Sequence, residues 1–409
     1  MDPVRFDTEL LTPAYLADPY QYYRALRECE PVYWSDRLSA WVLTRYDDVE
    51  AALRNPQLIS GQRVKSYADG LPADAQASLQ PLFYQIGKWI GNMDPPAHTR
   101  LRRLVTGAFT PRIVEALRPR IAALVNELLD KAFENDLTDF IAEFAYPLPA
   151  VVIAEMLGVP AEARDHFMAW SDALTAYTGT GKPELRVAQE ASDSASQLTA
   201  FFRETVDARR KQPRDDLISA LVEVEEEGAR LTEHEMLSMC GFLIVAGHET
   251  TMSLLGNGML ALLRHREQFD RLINDPQMTK STVEEFLRFD SPVQHQTRVA
   301  AGRVEVGGRQ IETGQRVMPF LGAANRDPAH FPDPDRLDLA RSPNKHLAFG
   351  IGSHFCLGAP LARLEAVIAF RTIADRFPNT RLSGSADTLE WRHHTSIRSP
   401  VRLPVTLQP

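Results

Sequence analysis

The stretch from His346 to Ala366, HLAFGIGSHFCLGAPLARLEA, sets one cysteine, Cys356, among Gly350, Gly352 and Gly358. A segment with helical spacing of apolar residues follows at once. A lone cysteine is by default a small buried core residue, but these neighbours argue for chemistry. The glycines let the backbone turn tightly and approach a flat ligand closely. A thiolate at or just before a helix start is favoured by the helix dipole and by nearby backbone N–H groups. Two other chemistries fail on spacing. A hydrolase elbow needs G-x-S-x-G, a frame that Ser353 lacks, and a dinucleotide loop needs G-x-G-x-x-G, where Phe355 stands in place of the third glycine.

A second reactive pairing lies upstream in AGHETT. Ala246 and Gly247 are small enough to let a ligand approach, and Glu249 and Thr250 place an acid beside an alcohol. Such a pair can relay protons through water. A zinc reading fails, since H-E-x-x-H would need histidine at Met252, and the similar HEMLS ends in Ser238. EEFLRF holds Glu285 and Arg288 three apart, on one helical face. MDPPAHTRLRRLV places His98 and Arg102 four apart after two prolines that suit a helix entry, and Arg298 follows the Glu285/Arg288 helix on a strand-like segment.

The elements that must carry these residues are mostly helical. DPYQYYRALREC, YDDVEAALRN with Asp47 or Asp48 as N-cap, RIVEALRPRIAALVNELLDKAF and the long LTEHEMLSMCGFLIVAGHETTMSLLGNGMLALLRH repeat apolar residues at helical spacing. Strand signals are confined to PVYWSD, AWVLTRY and TRVAAGRVEVGGRQIETGQRVMPF, the last punctuated by glycine pairs. Ser60 to Gly91 and Tyr177 to Pro183 read as loops or lids, and NRDPAHFPDPDRLDLARSPNK as an irregular coil delivering the chain to the cysteine. The expected class is mainly α with small β-sheets, one domain over 1–409.

Composition excludes several functions. Hydrophobic residues at 44% and charged residues at 24% are globular values, and the net charge of −9 argues against nucleic acid as a partner. The N-terminal residues lack a signal-peptide pattern and the longest apolar run is too short to span a bilayer. Three scattered cysteines fit a reducing compartment, so a cytoplasmic protein away from the membrane is expected, with Cys29 and Cys240 as ordinary thiols.

Phe349-Gly350-x-Gly352-x-His354-x-Cys356-x-Gly358 resembles the haem-binding signature of the cytochrome P-450 family, and the resemblance spans nearly the whole chain. It implies a helical prism with haem b between the long distal helix and the cysteine-led proximal helix. Cys356 is then the proximal thiolate ligand of iron. Phe349, Gly350, Ala246 and Gly247 would border the haem. His98, Arg102, Arg298 and His354 would cradle its propionates. Glu249 and Thr250 would deliver protons for activation of O2. Glu285 and Arg288, joined by Arg336 of PDPDRL, would be structural; Leu337 departs from the family's usual phenylalanine.

The resemblance further implies a monooxygenase that hydroxylates or epoxidises a small apolar molecule, a secondary metabolite such as a macrolide, terpenoid or fatty acyl chain. Leu243, Val293, Gln294, Gln296 and Ile397 are the expected pocket residues. Oxidative coupling, isomerisation and peroxide-driven oxidation are the alternatives, and a haem sensor would not need the proton relay. With no flavin, nicotinamide or iron–sulfur fingerprint in the chain, electrons must come from NAD(P)H through a reductase and ferredoxin. Arg102, Arg103, Arg112, Lys345 and Arg363 are candidates to steer an acidic ferredoxin toward a monomeric enzyme.

Overall fold

The computed structural model describes residues 4–62, 73–134, 138–179, 184–224 and 230–409. They gather into two compact units. One comprises Met1–Leu58, Leu117–Leu148 and Thr250–Pro409; the other comprises Ile59–Ala116 and Pro149–Glu249.

The long helix runs Glu233–Arg264, 32 residues. Its start is a reciprocal capping box: Glu235 N–H donates to Thr232 Oγ1 (3.3 Å) and Thr232 N–H donates to Glu235 Oε2 (2.9 Å). No described helix is long and apolar enough to cross a membrane.

In the first unit a Cβ on Gly258 of this helix would come within 2.7 Å of both Phe286 and Phe370. Those two rings pack edge to face at 4.8 Å. Only glycine lets the long helix approach the helices that carry them, Thr279–Phe289 and the cysteine-led helix Ala359–Arg376.

The alternating segments form most of the five-stranded sheet and a hairpin, whereas Leu58–Ile59 and a three-stranded sheet of Thr138–Asp139, Pro404–Thr406 and Arg381–Leu382 lie outside them. Val32–Ser35 pairs antiparallel with Ala40–Leu43, which runs parallel to Arg316–Pro319. Arg298–Ala300 pairs antiparallel with Arg316–Pro319, and Leu58–Ile59 completes the five strands. Val304–Val306 and Arg309–Ile311 form a hairpin turning on Gly307 and Gly308, both at positive φ.

Several local expectations needed revision. The helix Tyr46–Arg54 starts before Asp47 and Asp48, and its Tyr46 N–H is satisfied by the distant Asp327 carboxylate (2.9 Å). The RIVEALRPR segment is two helices, Pro111–Ala116 and Arg118–Phe133, because Pro119 starts a new first turn where its missing N–H costs nothing. Within the span read as a loop, Ala73–Ser78, Gln80–Gly87 and Ile90–Asn92 are helical. Residues 63–72 and 180–183 of the two loop readings lie outside the described residues, and Tyr177 lies within the last turn of the helix Arg164–Gly179.

In the second unit Arg164–Gly179 packs on Leu185–Lys211 through Phe167, Trp170, Phe201 and Phe202, Phe167 and Phe202 meeting edge to face at 5.6 Å. Buried Gln85 ties two elements together. Its Nε2 donates to the Leu237 carbonyl (3.2 Å) and its Oε1 accepts from Thr199 (3.1 Å).

The coil after Ala324 is held by a fully buried ion pair. Arg288 Nε and Nη2 each donate to the Glu285 carboxylate at 2.8 Å. The remaining guanidinium donors take the carbonyls of Asn325, Pro334 and Arg336. Glu285 also accepts from Asp338 N–H (2.9 Å), Asn344 (3.1 Å) and Arg341 Nε (3.3 Å).

The arginine completing this network is therefore Arg341. Arg336 supplies only its backbone carbonyl and its side chain is exposed. Leu337, where the family favours phenylalanine, is buried. Arg341→Ala is expected to lower stability by about 2–4 kcal/mol, since it strips a donor from a buried carboxylate. Arg336→Ala should stay within about 0.5 kcal/mol; urea denaturation of the two variants distinguishes the assignments.

Candidate active site

In the first unit the cysteine loop is a run of tight turns. Gly350 (φ +66) and Gly352 (φ +77) occupy the left-handed region, which explains glycine at both. Gly358 has an ordinary φ of −81 and is the N-cap of the following helix. Cys356 N–H donates to the Phe349 carbonyl (3.0 Å), and Gly350 N–H to that of Leu347 (2.8 Å). A Cβ on Gly358 would lie 4.0 Å from Cys356 Sγ, so the sulfur sits beside the helix start. Cys356 and His354 are half-buried.

Arg298 opens its strand and is 3% exposed. Its guanidinium donates to Gln296 Oε1 (2.8 Å) and to the Thr297 carbonyl (3.0 Å). The other end of that Gln296 amide lies 3.3 Å from where a Gly350 Cβ would be. Gln296, expected in the substrate pocket, is thus committed to orienting Arg298 against the cysteine loop.

Gln294 also departs from expectation. Its Nε2 donates to the Ser291 carbonyl (2.7 Å) and the Tyr20 hydroxyl (3.2 Å), so its side chain belongs to the buried N-terminal aromatic cluster. Odd and even positions of an extended segment point to opposite faces, and Val293 is the one that meets Ile397, across an antiparallel bridge. Gln294 N–H donates to Ser396 O (2.6 Å) and Arg398 N–H to Pro292 O (2.9 Å), zipping these two segments together.

His394, missed in the sequence, closes the turn behind Ile397. Its Nδ1 accepts from the amides of Ile397 (2.8 Å) and Ser396 (3.0 Å). Burial, helped by the nearby charge of Arg392, pushes its pKa down to about 3, so it works as a neutral acceptor. The HHTSIR stretch offered the signal: histidine two and three residues ahead of amides that need a cap.

The second unit holds the other predicted residues except Thr250, which opens the last stretch of the first. His98 is buried in the first turn of Ala97–Ala108, and half-buried Arg102 follows one turn later on the same face. On the long helix, Leu243 and Glu249 are buried and Ala246, Gly247 and Thr250 are half-buried. Ala246 and Thr250, four apart, share a face. A Cβ on Gly247 would meet Ile153 at an ordinary 3.5 Å, so among the described residues no side chain demands glycine there.

Cys240 is buried, and burial pushes its thiol up to about 12, making it inert; Cys29 is exposed. The donor set around Cys356 fits haem: a soft sulfur at a helix start, a glycine-built backbone, a buried oriented cation in Arg298 and an imidazole in His354 for acidic edge groups.

The comparisons agree. The family model for cytochrome P450 matches residues 43–397. Cytochrome P450 107B1 of Saccharopolyspora erythraea is 42% identical over 398 residues, 96% of each chain. The 6-deoxyerythronolide B hydroxylase of the same organism is 39% identical over 405 residues, 98% of each. The structure of P450BioI in complex with hexadec-9Z-enoic acid ligated acyl carrier protein matches with a TM-score of 0.89 at 36% identity, covering 97% of this chain and 99% of that one. With its mainly helical fold, small sheets and cysteine loop, the chain belongs to the cytochrome P450 family, as a monooxygenase that works with haem and dioxygen.

Proposed function

We propose that Cys356 is the haem thiolate and that the enzyme hydroxylates a largely apolar secondary metabolite bearing a few oxygen functions. The observation that carries this is the loop itself: two left-handed glycines and the Cys356 N–H to Phe349 O bond hold the sulfur beside a helix start. Haem, when bound, supplies the redox chemistry of dioxygen activation. The rest falls to side chains of this chain.

Arg298, aimed by Gln296, and His354 would hold the haem carboxylates, with His98 and Arg102 as further donors. Phe349, Gly350, Ala246 and Gly247 would border the ring. Thr250 holds a proton at its hydroxyl on the substrate side, and Glu249 resupplies it. Successive residues of a helix point about 100° apart, so a water chain would link the two. Leu243, Val293 and Ile397 supply apolar wall, while the backbone zip and His394 hold Ile397 in place.

The relatives support the substrate class, one being named for hydroxylation of 6-deoxyerythronolide B and another crystallised with an acylated carrier protein. Electrons come from NAD(P)H through a reductase and a ferredoxin, attracted by Arg102, Arg103, Arg112 and Lys345.

A reduced carbon monoxide spectrum is expected to show the thiolate-type band in the wild-type protein and to lose it in Cys356→Ala; its absence from the wild type would end the central assignment. Thr250→Ala should keep haem and substrate binding yet divert reducing equivalents to hydrogen peroxide, cutting product per NADPH by about tenfold or more. Glu249→Gln should slow turnover by roughly a hundredfold.

A substrate screen read by the haem spin-state shift should find ligands among macrolides, terpenoids and fatty acyl compounds. Ile397→Ala is expected to weaken the best of them by about 2 kcal/mol through lost apolar contact. Gln294→Ala should instead lower stability with little change in affinity.

A further inference from the structure

Glu284, the neighbour of the buried network glutamate, faces the cysteine loop. Its carboxylate takes a fork of two hydrogen bonds from Arg363, Nε at 2.6 Å and Nη2 at 2.7 Å, and a third from His346 Nε2 at 3.0 Å. His346 Nδ1 accepts from Ala348 N–H (3.3 Å), which leaves Nε2 as the protonated donor. The His346 side chain is 3% exposed. Burial alone would raise the Glu284 carboxyl, yet the Arg363 and His346 bonds outweigh it and hold it down at about 2.

These contacts end on one ring. The Arg363 guanidinium lies 4.5 Å from the Phe349 centroid, in cation–π range, and His346 flanks the same ring at 6.1 Å. The Phe349 carbonyl receives the Cys356 N–H. A surface ion pair of long side chains is ordinarily worth little. This one is bidentate, shared with a buried imidazole and stacked on the residue that fixes the cysteine backbone. Arg363, counted from sequence among residues free to steer a ferredoxin, has its charge cancelled by Glu284.

We propose that Glu284 is a positioning residue that balances the charge of Arg363 beside the cysteine loop and thereby sets the reduction potential of the bound haem. The inference rests on Cys356 being the thiolate ligand. Glu284→Gln leaves an uncompensated positive charge near the sulfur, which favours the reduced, more negative state. Arg363→Gln leaves an uncompensated negative charge and favours the oxidised state. Restoring neutrality in the double variant cancels both. Loosening of the loop alone would move both single variants the same way, whereas a charge pair moves them in opposite directions.

The test is a spectroelectrochemical titration of each holoprotein at low ionic strength, after the reduced carbon monoxide spectrum has verified the thiolate. Expected are shifts of about tenfold in the oxidised-to-reduced ratio, 59 mV for one electron. Glu284→Gln should go toward reduced, Arg363→Gln toward oxidised, and the double variant should lie within about twofold of wild type. Shifts of one sign, or all below twofold with the thiolate band intact, overturn the proposal. Absence of the band in the wild-type protein would instead remove the Cys356 assignment beneath it. Where one single variant yields too little holoprotein, the other must shift with its expected sign and the double variant must return to within about twofold of wild type; failure of either overturns the proposal.

Discussion

The fully buried Glu285–Arg288 pair is the constraint on which the cysteine loop depends. The coil from Asn325 to the loop has no helix or strand ladder to satisfy its backbone among the described residues, and buried carbonyls left unpaired are costly. One guanidinium takes three of those carbonyls, and one carboxylate takes an amide and two side-chain donors. Asn325 extends the network to the loop itself: its Oδ1 accepts from Leu347 N–H (2.7 Å) and its Nδ2 donates to Ser291 (2.8 Å). Two buried charges, expensive alone, become the scaffold of an irregular segment once every donor and acceptor is used.

The same helix end serves the opposite task of holding the segments proposed as the substrate wall. Asp290, just past Phe289, accepts from Arg398 (2.8 Å) and from the Tyr20 hydroxyl (2.7 Å). Arg398 also reaches the carbonyls of Leu16 and Ala17 and lies 3.6 Å over the Trp391 ring. The N-terminal helices, the Val293 segment and the C-terminal turn are thereby pinned to one point. Glu284, Glu285 and Asp290, within seven positions, anchor the loop, the coil and the turn respectively.

Much of this was legible because it is local. The glycines at 350 and 352 announce left-handed turns, Gly307–Gly308 announces a hairpin, and the apolar period of the long helix predicts a span close to the 32 residues found. What sequence could not supply was partner choice in irregular chain. Arg336 and Arg341 sit five apart in a coil without a period, so no pattern says which one turns inward. Gln294 and Gln296 lie on the same side of the alternation, yet one bonds to Tyr20 and the other to Arg298, because the segment leaves strand geometry before Arg298. The helix at Tyr46 is capped by Asp327, some 280 residues away, which local capping rules cannot anticipate.

This division of labour bears on how the family's substrates can differ while its chemistry stays the same. The groups assigned to the cofactor are held by buried charges whose loss would cost several kcal/mol each. Val293 and Ile397 are held instead by backbone bonds, which do not depend on the side chain carried. A change of side chain at either position would alter the proposed apolar wall but leave the zip and the His394 cap intact. Specificity can therefore drift by substitutions that cost little stability, whereas the sulfur, its loop and the charges behind them are tied to one another and must be kept together.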